Sequence, residues 1–302
     1  MEVLTRAEFE VLIYTESVQD GAWDSAEAAR KGHLEQSEVV GCMEKLQELG
    51  LLSGRQVTDE GYAYLEPHRV RRAILLAAGF GSRMMPVTGT TPQPLVSVNG
   101  TPFIETLIPA LREKGITDIT VVIGYLSEKF DDFKKKNPDI KFLYNGKYSR
   151  ENNISSAMLV SDRYSQAYVM DADLFLVNRD LIRKYEYSTN YLGVPVAETD
   201  DWCLQMEGDR ATGMKKGGTD TYLMVGLSYW SREDGEKFHE DIQKLYATEA
   251  GKQNYWDDVA LTAYVDDFRV HVRPCTMEDI YEIDSIEELA AADPSYEMYL
   301  QQ

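Results

Sequence analysis

The segment Ile74-Leu75-Leu76-Ala77-Ala78-Gly79-Phe80-Gly81-Ser82-Arg83-Met84, followed by Thr91-Pro92-Gln93-Pro94-Leu95-Val96, is the most informative in the chain. A short apolar run empties into a loop with two glycines and ends beside an arginine. Gly79 and Gly81 have no side chain to hold an anion away from backbone N–H groups, and Arg83 adds a delocalised cation. A loop of this kind at the end of a buried strand suits a triphosphate. A glycine turn after the first strand also occurs in α/β domains of other function, so the short motif alone decides little.

Outward from this loop, strand and helix patterns alternate. Arg72 to Leu76 reads as a buried strand. Phe103 to Lys114 reads as an amphipathic helix with Phe103, Ile104, Leu107, Ile108 and Leu111 inward and Gly115 as its stop. Ile119 to Ile123 is a second strand, Ser127 to Lys136 a charged helix, and Lys141 to Tyr144 and Ala167 to Met170 further strands. The alternation predicts a mostly parallel sheet with helices on both faces, a three-layer α/β domain with ligands at the carboxyl ends of its strands. Val169-Met170-Asp171-Ala172-Asp173-Leu174-Phe175 then places two carboxylates just past an apolar strand, the donor chemistry of Mg²⁺.

Residues 74–105 resemble the signature of the nucleotidyltransferases that join a nucleoside triphosphate to a phosphorylated alcohol or sugar. The family pattern LAAG-x-G-S/T-R-M/L continues through a Pro-Lys-Pro-Leu element to a stretch present here as Val98-Asn99-Gly100-Thr101-Pro102-Phe103-Ile104-Glu105. Where the family has lysine, this chain has Gln93. The resemblance implies a Rossmann-like nucleotidyltransferase (GT-A-like) domain over 71–302. Leu76, Ala77, Ala78, Gly79, Gly81, Ser82 and Arg83 would bind nucleotide, with Asp171 beside them. Asp173 would ligate the metal. Ile280-Tyr281-Glu282-Ile283-Asp284-Ser285 resembles the closing element whose aspartate reaches back to it, which points to Asp284; Asp284 or Ser285 also suits the N-cap of a terminal helix.

Tyr144-Asn145-Gly146-Lys147-Tyr148, Asn152-Asn153-Ile154-Ser155-Ser156, Trp202, Gly226-Leu227-Ser228-Tyr229-Trp230 and Tyr255-Trp256-Asp257 narrow the likeness to the bacterial CTP:phosphocholine cytidylyltransferases, over residues 71–293. Asn152, Asn153 and Ser155 would then hold the base and sugar of CTP. A quaternary ammonium has no N–H to donate, so aromatic faces and a nearby carboxylate recognise it. Trp202 with Tyr255 or Trp256 are the expected walls, Tyr229 a further contact and Asp257 the countercharge, whereas Trp230 reads as core. Phosphoethanolamine or 2-aminoethylphosphonate would call for more hydrogen-bond acceptors and fewer rings, and a sugar phosphate is a further alternative acceptor. The implied reaction is attack by a phosphocholine phosphate oxygen on the α-phosphorus of CTP, giving CDP-choline and pyrophosphate, with Mg²⁺ on Asp173 and Asp284 and Arg83 stabilising the departing pyrophosphate. Gln93 at the lysine position implies a slow variant, an introduced change, or a cation recruited from elsewhere, such as Lys147 or Lys215; a nucleotide-sensing regulator with a weakened site is the alternative from another class.

The 302 residues leave room for two domains, and 31 basic against 51 acidic residues give a net charge of -20. That balance argues against general nucleic-acid or anionic-membrane binding. Widely spaced Cys42, Cys203 and Cys275, with no leader and no long apolar run, predict a reduced cytoplasmic protein. Residues 1–70 resemble the winged helix-turn-helix of small bacterial regulators: a helix capped by Thr5, a short alanine-rich helix, a third from Ser37, a small wing around Gly54-Arg55, and a last helix after Thr58. This segment has six basic and fourteen acidic residues, and its presumed recognition helix carries Glu35, Glu38, Glu44 and Glu48 against Lys45. Phosphate would be repelled, so docking or pairing of two copies is the expected role rather than DNA binding.

Overall fold

The computed structural model describes residues 3–18 and 22–300. It divides into two units, one running to Arg69 and including Tyr185–Tyr187, the other made of Val70–Lys184 and Ser188 onward. The expected boundary after residue 70 therefore shifts by one, and a three-residue segment from far along the chain joins the first unit.

In the first unit, Thr5 opens α1 (Arg6–Ser17) through a reciprocal capping box with Glu8. α2 (Ser25–Gly32) follows, capped by Asp24. α3 (Gln36–Glu48) starts one residue before the expected Ser37, because Glu38 reaches back to the N–H of Glu35 at 2.9 Å and makes Glu35 the cap. β1 (Leu52–Ser53) and β2 (Gln56–Val57) form an antiparallel hairpin. α4 (Asp59–Leu65), capped by Thr58, packs onto it through Gly61, where a Cβ would lie 2.3 Å from the Leu51 carbonyl oxygen. Phe9, Leu12, Val39, Leu46 and Leu65 are buried together, while Glu35, Glu38, Glu44 and Glu48 stand exposed.

In the second unit, β3 (Arg72–Ala77) is apolar on both faces because it lies inside a seven-stranded sheet. The elements after it are β4 (Ser97–Val98), β5 (Thr101–Pro102), α5 (Phe103–Glu113), β6 (Asp118–Ile123), α6 (Asp131–Lys136), β7 (Lys141–Tyr144), α7 (Ile154–Met158), β8 (Ala167–Asp171) and β9 (Leu174–Leu176). Then come β10 (Asn190–Glu207), β11 (Arg210–Trp230), α8 (Arg232–Tyr246), β12 (Val270–Pro274), β13 (Ile280–Glu282) and α9 (Ile286–Ala292). The sheet order is β10-β12-β11-β8-β3-β6-β7. β8, β3, β6 and β7 run parallel and β11 antiparallel to β8, which gives the mostly parallel sheet expected. The expected helix over 127–136 divides into a tight turn, Ser127–Phe130, and α6.

Strand alternation builds one core on each face. Ala73, Leu75 and Ala77 meet Ile104, Leu107, Ile108 and Leu111 of α5 on one side; Ile74 and Leu76 meet Val169, Trp230, Phe238 and Trp256 on the other. β10 and β11 extend beyond the sheet as a long antiparallel ribbon, a feature that the reading of short alternating elements did not contain. Among the described residues no helix is long and apolar enough to cross a membrane.

Candidate active site

The loop after β3 forms one wall of a cavity of about 690 Å³, lined by Leu76, Ala77, Ala78, Gly79, Ser82 and Arg83 among others. Gly81 turns the loop at φ +57°, and a Cβ there would lie 2.8 Å from Gln93 Oε1, so two constraints require glycine. Thr88 Oγ1 donates to the Gly81 carbonyl at 2.8 Å and pins the turn. Among the described residues the N–H groups of Gly79, Phe80 and Gly81 donate to no protein acceptor, which leaves them for an anion.

Opposite lies an acidic cluster. β8 delivers Asp171 and, past its end, Asp173, both in the cavity lining. β13 pairs antiparallel with β9, and the Ile283 N–H donates to the Asp173 carbonyl at 3.2 Å, which brings the closing element beside β8. Asp173, Glu282 and Asp284 each offer an oxygen within 4.8 Å of the others. Ser285, in a capping box with Glu288, caps α9, so the cap alternative for Asp284 falls to its neighbour and its carboxylate faces the site. Asp284 pairs with Arg83. Gln93, itself buried, donates to the Ile283 carbonyl at 2.9 Å and to Asp284 Oδ1 at 3.5 Å.

Burial, then the neighbouring Asp284 charge, pushes Asp173 up to about 7. Burial and the Asp173 charge push Glu282 well up as well. Burial also raises Asp284, although Arg83 pulls it down. Among the described residues Asp173 Oδ1 is buried with no hydrogen-bond partner. Crowded, elevated carboxylates and an orphaned buried oxygen fit a divalent cation of hard-oxygen preference. Glu282, absent from the expected ligands, stands two residues before Asp284 and joins the same cluster.

A third wall comes from the segment between β7 and α7. Asn145 is buried and its amide donates to Ser155 and Ser156 hydroxyls, both at 2.9 Å. Asn152 donates to the Gln253 carbonyl at 3.0 Å, and Asn153 Oδ1 accepts the Trp256 N–H at 2.9 Å. Asn152, Asn153 and Ser155 line the cavity as expected, but part of their hydrogen-bonding capacity ties their loop to residues 253–256.

At the far end, Trp202 and Tyr255 meet edge to face with ring centroids 5.7 Å apart, beside Asp201, Met214, Lys216 and Met224. Two expected contacts lie elsewhere. Trp256 is fully buried against Tyr191, Tyr164, Trp230 and Phe238, because its hydrophobic area is better spent in the core. Tyr229 is buried on the opposite face of the sheet against Tyr168, since it alternates with Trp230 along β11. Asp257 lines the cavity but accepts the Tyr191 hydroxyl at 2.9 Å, and burial pushes it up to about 7. Of the two candidate replacement cations, Lys147 pairs with Glu151 and Tyr246 and Lys215 is exposed and outside the lining; its neighbour Lys216, not among the candidates and also exposed, borders the cavity.

A profile of the family described as nucleotidyl transferase matches residues 72–192. The chain is 37% identical over 228 residues to the 2-aminoethylphosphonate cytidylyltransferase of Lancefieldella rimae, spanning 74% of this chain and 92% of that protein. It is 35% identical over 219 residues to the choline-phosphate cytidylyltransferase of Streptococcus pneumoniae, spanning 72% and 94%. A solved structure of the CTP:phosphocholine cytidylyltransferase from Streptococcus pneumoniae superposes with a TM-score of 0.70 at 33% identity, covering 75% of this chain and 99% of that one.

Proposed function

The chain belongs to the nucleotidyltransferases, in their cytidylyltransferase branch, and on that premise we propose that it transfers CMP from CTP to a small phosphonylated or phosphorylated primary amine, with 2-aminoethylphosphonate as the leading acceptor. The observation that carries the choice is the make-up of the acceptor end. With Trp256 buried, the expected cage is reduced to the corner of Trp202 with Tyr255, next to the Asp201 carboxylate and with Asp257 in the same cavity lining. A primary ammonium donates up to three hydrogen bonds and gains from such acceptors, whereas a trimethylammonium gains chiefly from ring faces. Phosphocholine is the second reading, favoured by the same Trp202–Tyr255 corner.

In the proposed reaction an acceptor phosph(on)ate oxygen attacks the α-phosphorus of CTP. A new P–O–P linkage forms, the bond from the α-phosphorus to the bridging β-oxygen breaks, and pyrophosphate leaves with that electron pair. Positioning and charge neutralisation do most of the work. The loop N–H groups and Arg83 hold the β- and γ-phosphates, while Asn152, Asn153 and Ser155 border the base and ribose. Asp173, Glu282 and Asp284 would hold Mg²⁺, which when bound supplies neutralising charge at the phosphates. Asp171 stands behind them, seated so closely on Gly226 that a Cβ there would lie 2.5 Å from its Oδ2. The test is kcat/KM for 2-aminoethylphosphonate, phosphoethanolamine and phosphocholine at fixed CTP and Mg²⁺. A primary amine at least tenfold ahead supports the proposal; phosphocholine ahead by that margin reverses the choice.

A further inference from the structure

On the wall between β7 and α7 most amide groups are already committed. Asn145 donates to the Ser155 and Ser156 hydroxyls and accepts the Lys147 N–H at 2.9 Å. Asn152 donates to the Gln253 carbonyl and accepts the Asn153 N–H at 2.7 Å, so both ends of its amide are spent. Asn153 has its carbonyl end fixed by the Trp256 N–H, and among the described residues its amino end donates to nothing. Glu151, in the same lining, is held through one oxygen. The Tyr246 hydroxyl donates to Oε2, and Lys147 donates to that hydroxyl at 2.8 Å. Oε1 is left with the Lys147 ammonium at 3.7 Å, too far for a hydrogen bond. The acid and amide side chains of this wall thus keep one spare donor and one spare acceptor, two residues apart. Phe80 of the phosphate loop stands exposed in the same lining, its ring centroid 5.2 Å from that of Tyr148, and presents a face on which a base can stack.

We infer that Glu151 makes this site choose cytosine over uracil: its Oε1 accepts the 4-amino group of CTP, and the Asn153 amino group donates to the neighbouring ring acceptors. The inference rests on the cytidylyltransferase reading above. Cytosine presents a donor at position 4 and acceptors at N3 and O2. Uracil presents a carbonyl at position 4 and an N–H at N3, so it sets lone pair against lone pair at Glu151 and donor against donor at Asn153. Amides alone could not make this choice, because half a turn of an amide exchanges its donor and acceptor. A carboxylate has no donor to offer in exchange. Tyr246 and Lys147, by engaging the other oxygen, keep Oε1 turned to the cavity without consuming it.

The experiment compares wild type with Glu151→Gln, which keeps the shape and can donate to the uracil carbonyl. The kcat/KM for CTP and for UTP is measured at fixed 2-aminoethylphosphonate and Mg²⁺. The CTP-to-UTP ratio is expected to fall at least about fivefold in the variant, the lower end for one base-edge contact. A Glu151 that only braced its wall against Tyr246 would, when replaced, weaken both nucleotides together and leave the ratio unchanged. A fall of less than about fivefold therefore overturns the assignment while the proposed reaction stands. Dissociation constants of CTP and UTP from calorimetry give the same ratio, so a form too slow to turn over is judged by the same threshold. Wild type that binds and uses the two nucleotides equally overturns the assignment together with the choice of CTP. Absence of product from wild type with any phosph(on)ylated amine overturns the proposed reaction, and the binding ratio then decides the role of Glu151 separately.

Discussion

Replacing Asp173 by asparagine should make the metal-free protein more stable at pH 8 while removing its activity. Asp173 is raised from the ordinary 3.8 to about 7 by burial and by Asp284. A folded-state value above the unfolded one means that the folded protein binds more protons between pH 4 and 7, so stability falls as pH rises through that window and the deficit is complete above 7. The rise corresponds to about 4 kcal/mol at pH 8. Asparagine has nearly the same shape and no charge, so Asp173→Asn should gain up to about 4 kcal/mol in EDTA at pH 8 and close to nothing at pH 4. At about 2–4 °C per kcal/mol for a unit of this size, a Tm increase of up to about 8–16 °C is expected. Mg²⁺ should then raise the Tm of wild type at pH 8, less at pH 5.5 where protons compete, and leave the variant unmoved. The assay is thermal unfolding of both proteins at three pH values with EDTA or Mg²⁺. A variant no more stable than wild type at pH 8 in EDTA, or equally shifted by Mg²⁺, would refute the reasoning.

Further outcomes follow from the same geometry. Gln93→Lys should raise kcat by about 10²–10³-fold, the range expected for one preorganised stabiliser; equal pyrophosphate release by both forms would contradict it. Gly226→Ala should push Asp171 off its seat, since the added carbon would lie 2.5 Å from Oδ2, and lower kcat by about 10²-fold with a folded circular-dichroism spectrum; an unchanged kcat tells against a role for Asp171. Trp256→Ala should cost about 3–5 kcal/mol in denaturant unfolding, whereas Trp202→Ala should cost far less and raise the acceptor KM instead. The reverse pattern would mean that core and cage have been assigned the wrong way round.

The placement of the glycine loop and of the Asp171/Asp173 pair on one cavity was legible because each follows an apolar strand whose end is clear in the sequence. Asp284 was legible through its resemblance to a family element, and the capping geometry of Ser285 and Glu288 then freed its carboxylate. Glu282 was missed although the period of an extended segment puts it beside Asp284. The aromatic residues were the hard part. Trp202 and Trp256 look alike in the sequence, each next to aspartates, and only packing separates them: Trp256 lies in a cluster with Tyr164, Tyr191, Trp230 and Phe238, while Trp202 stands on a ribbon that leaves the sheet. The ribbon also separates two adjacent lysines that the sequence does not: Lys216, paired with Trp202, borders the cavity and Lys215 does not, and a one-residue shift of register would reverse this. In the first unit, helix starts at Thr5 and Thr58 follow from local capping chemistry, whereas the contribution of Tyr185–Tyr187 is a long-range pairing with no local signal.

The central claim is that one cavity holds the phosphates of CTP against an acidic cluster and presents the α-phosphorus to a phosph(on)ylated amine. Mass analysis of the products from wild-type protein, CTP, Mg²⁺ and 2-aminoethylphosphonate tests it most directly. The account predicts equimolar pyrophosphate and a CMP–phosphonate anhydride, both absent with Asp173→Asn. Nucleotide left intact with every acceptor offered, or product formed equally well by Asp173→Asn, would contradict it.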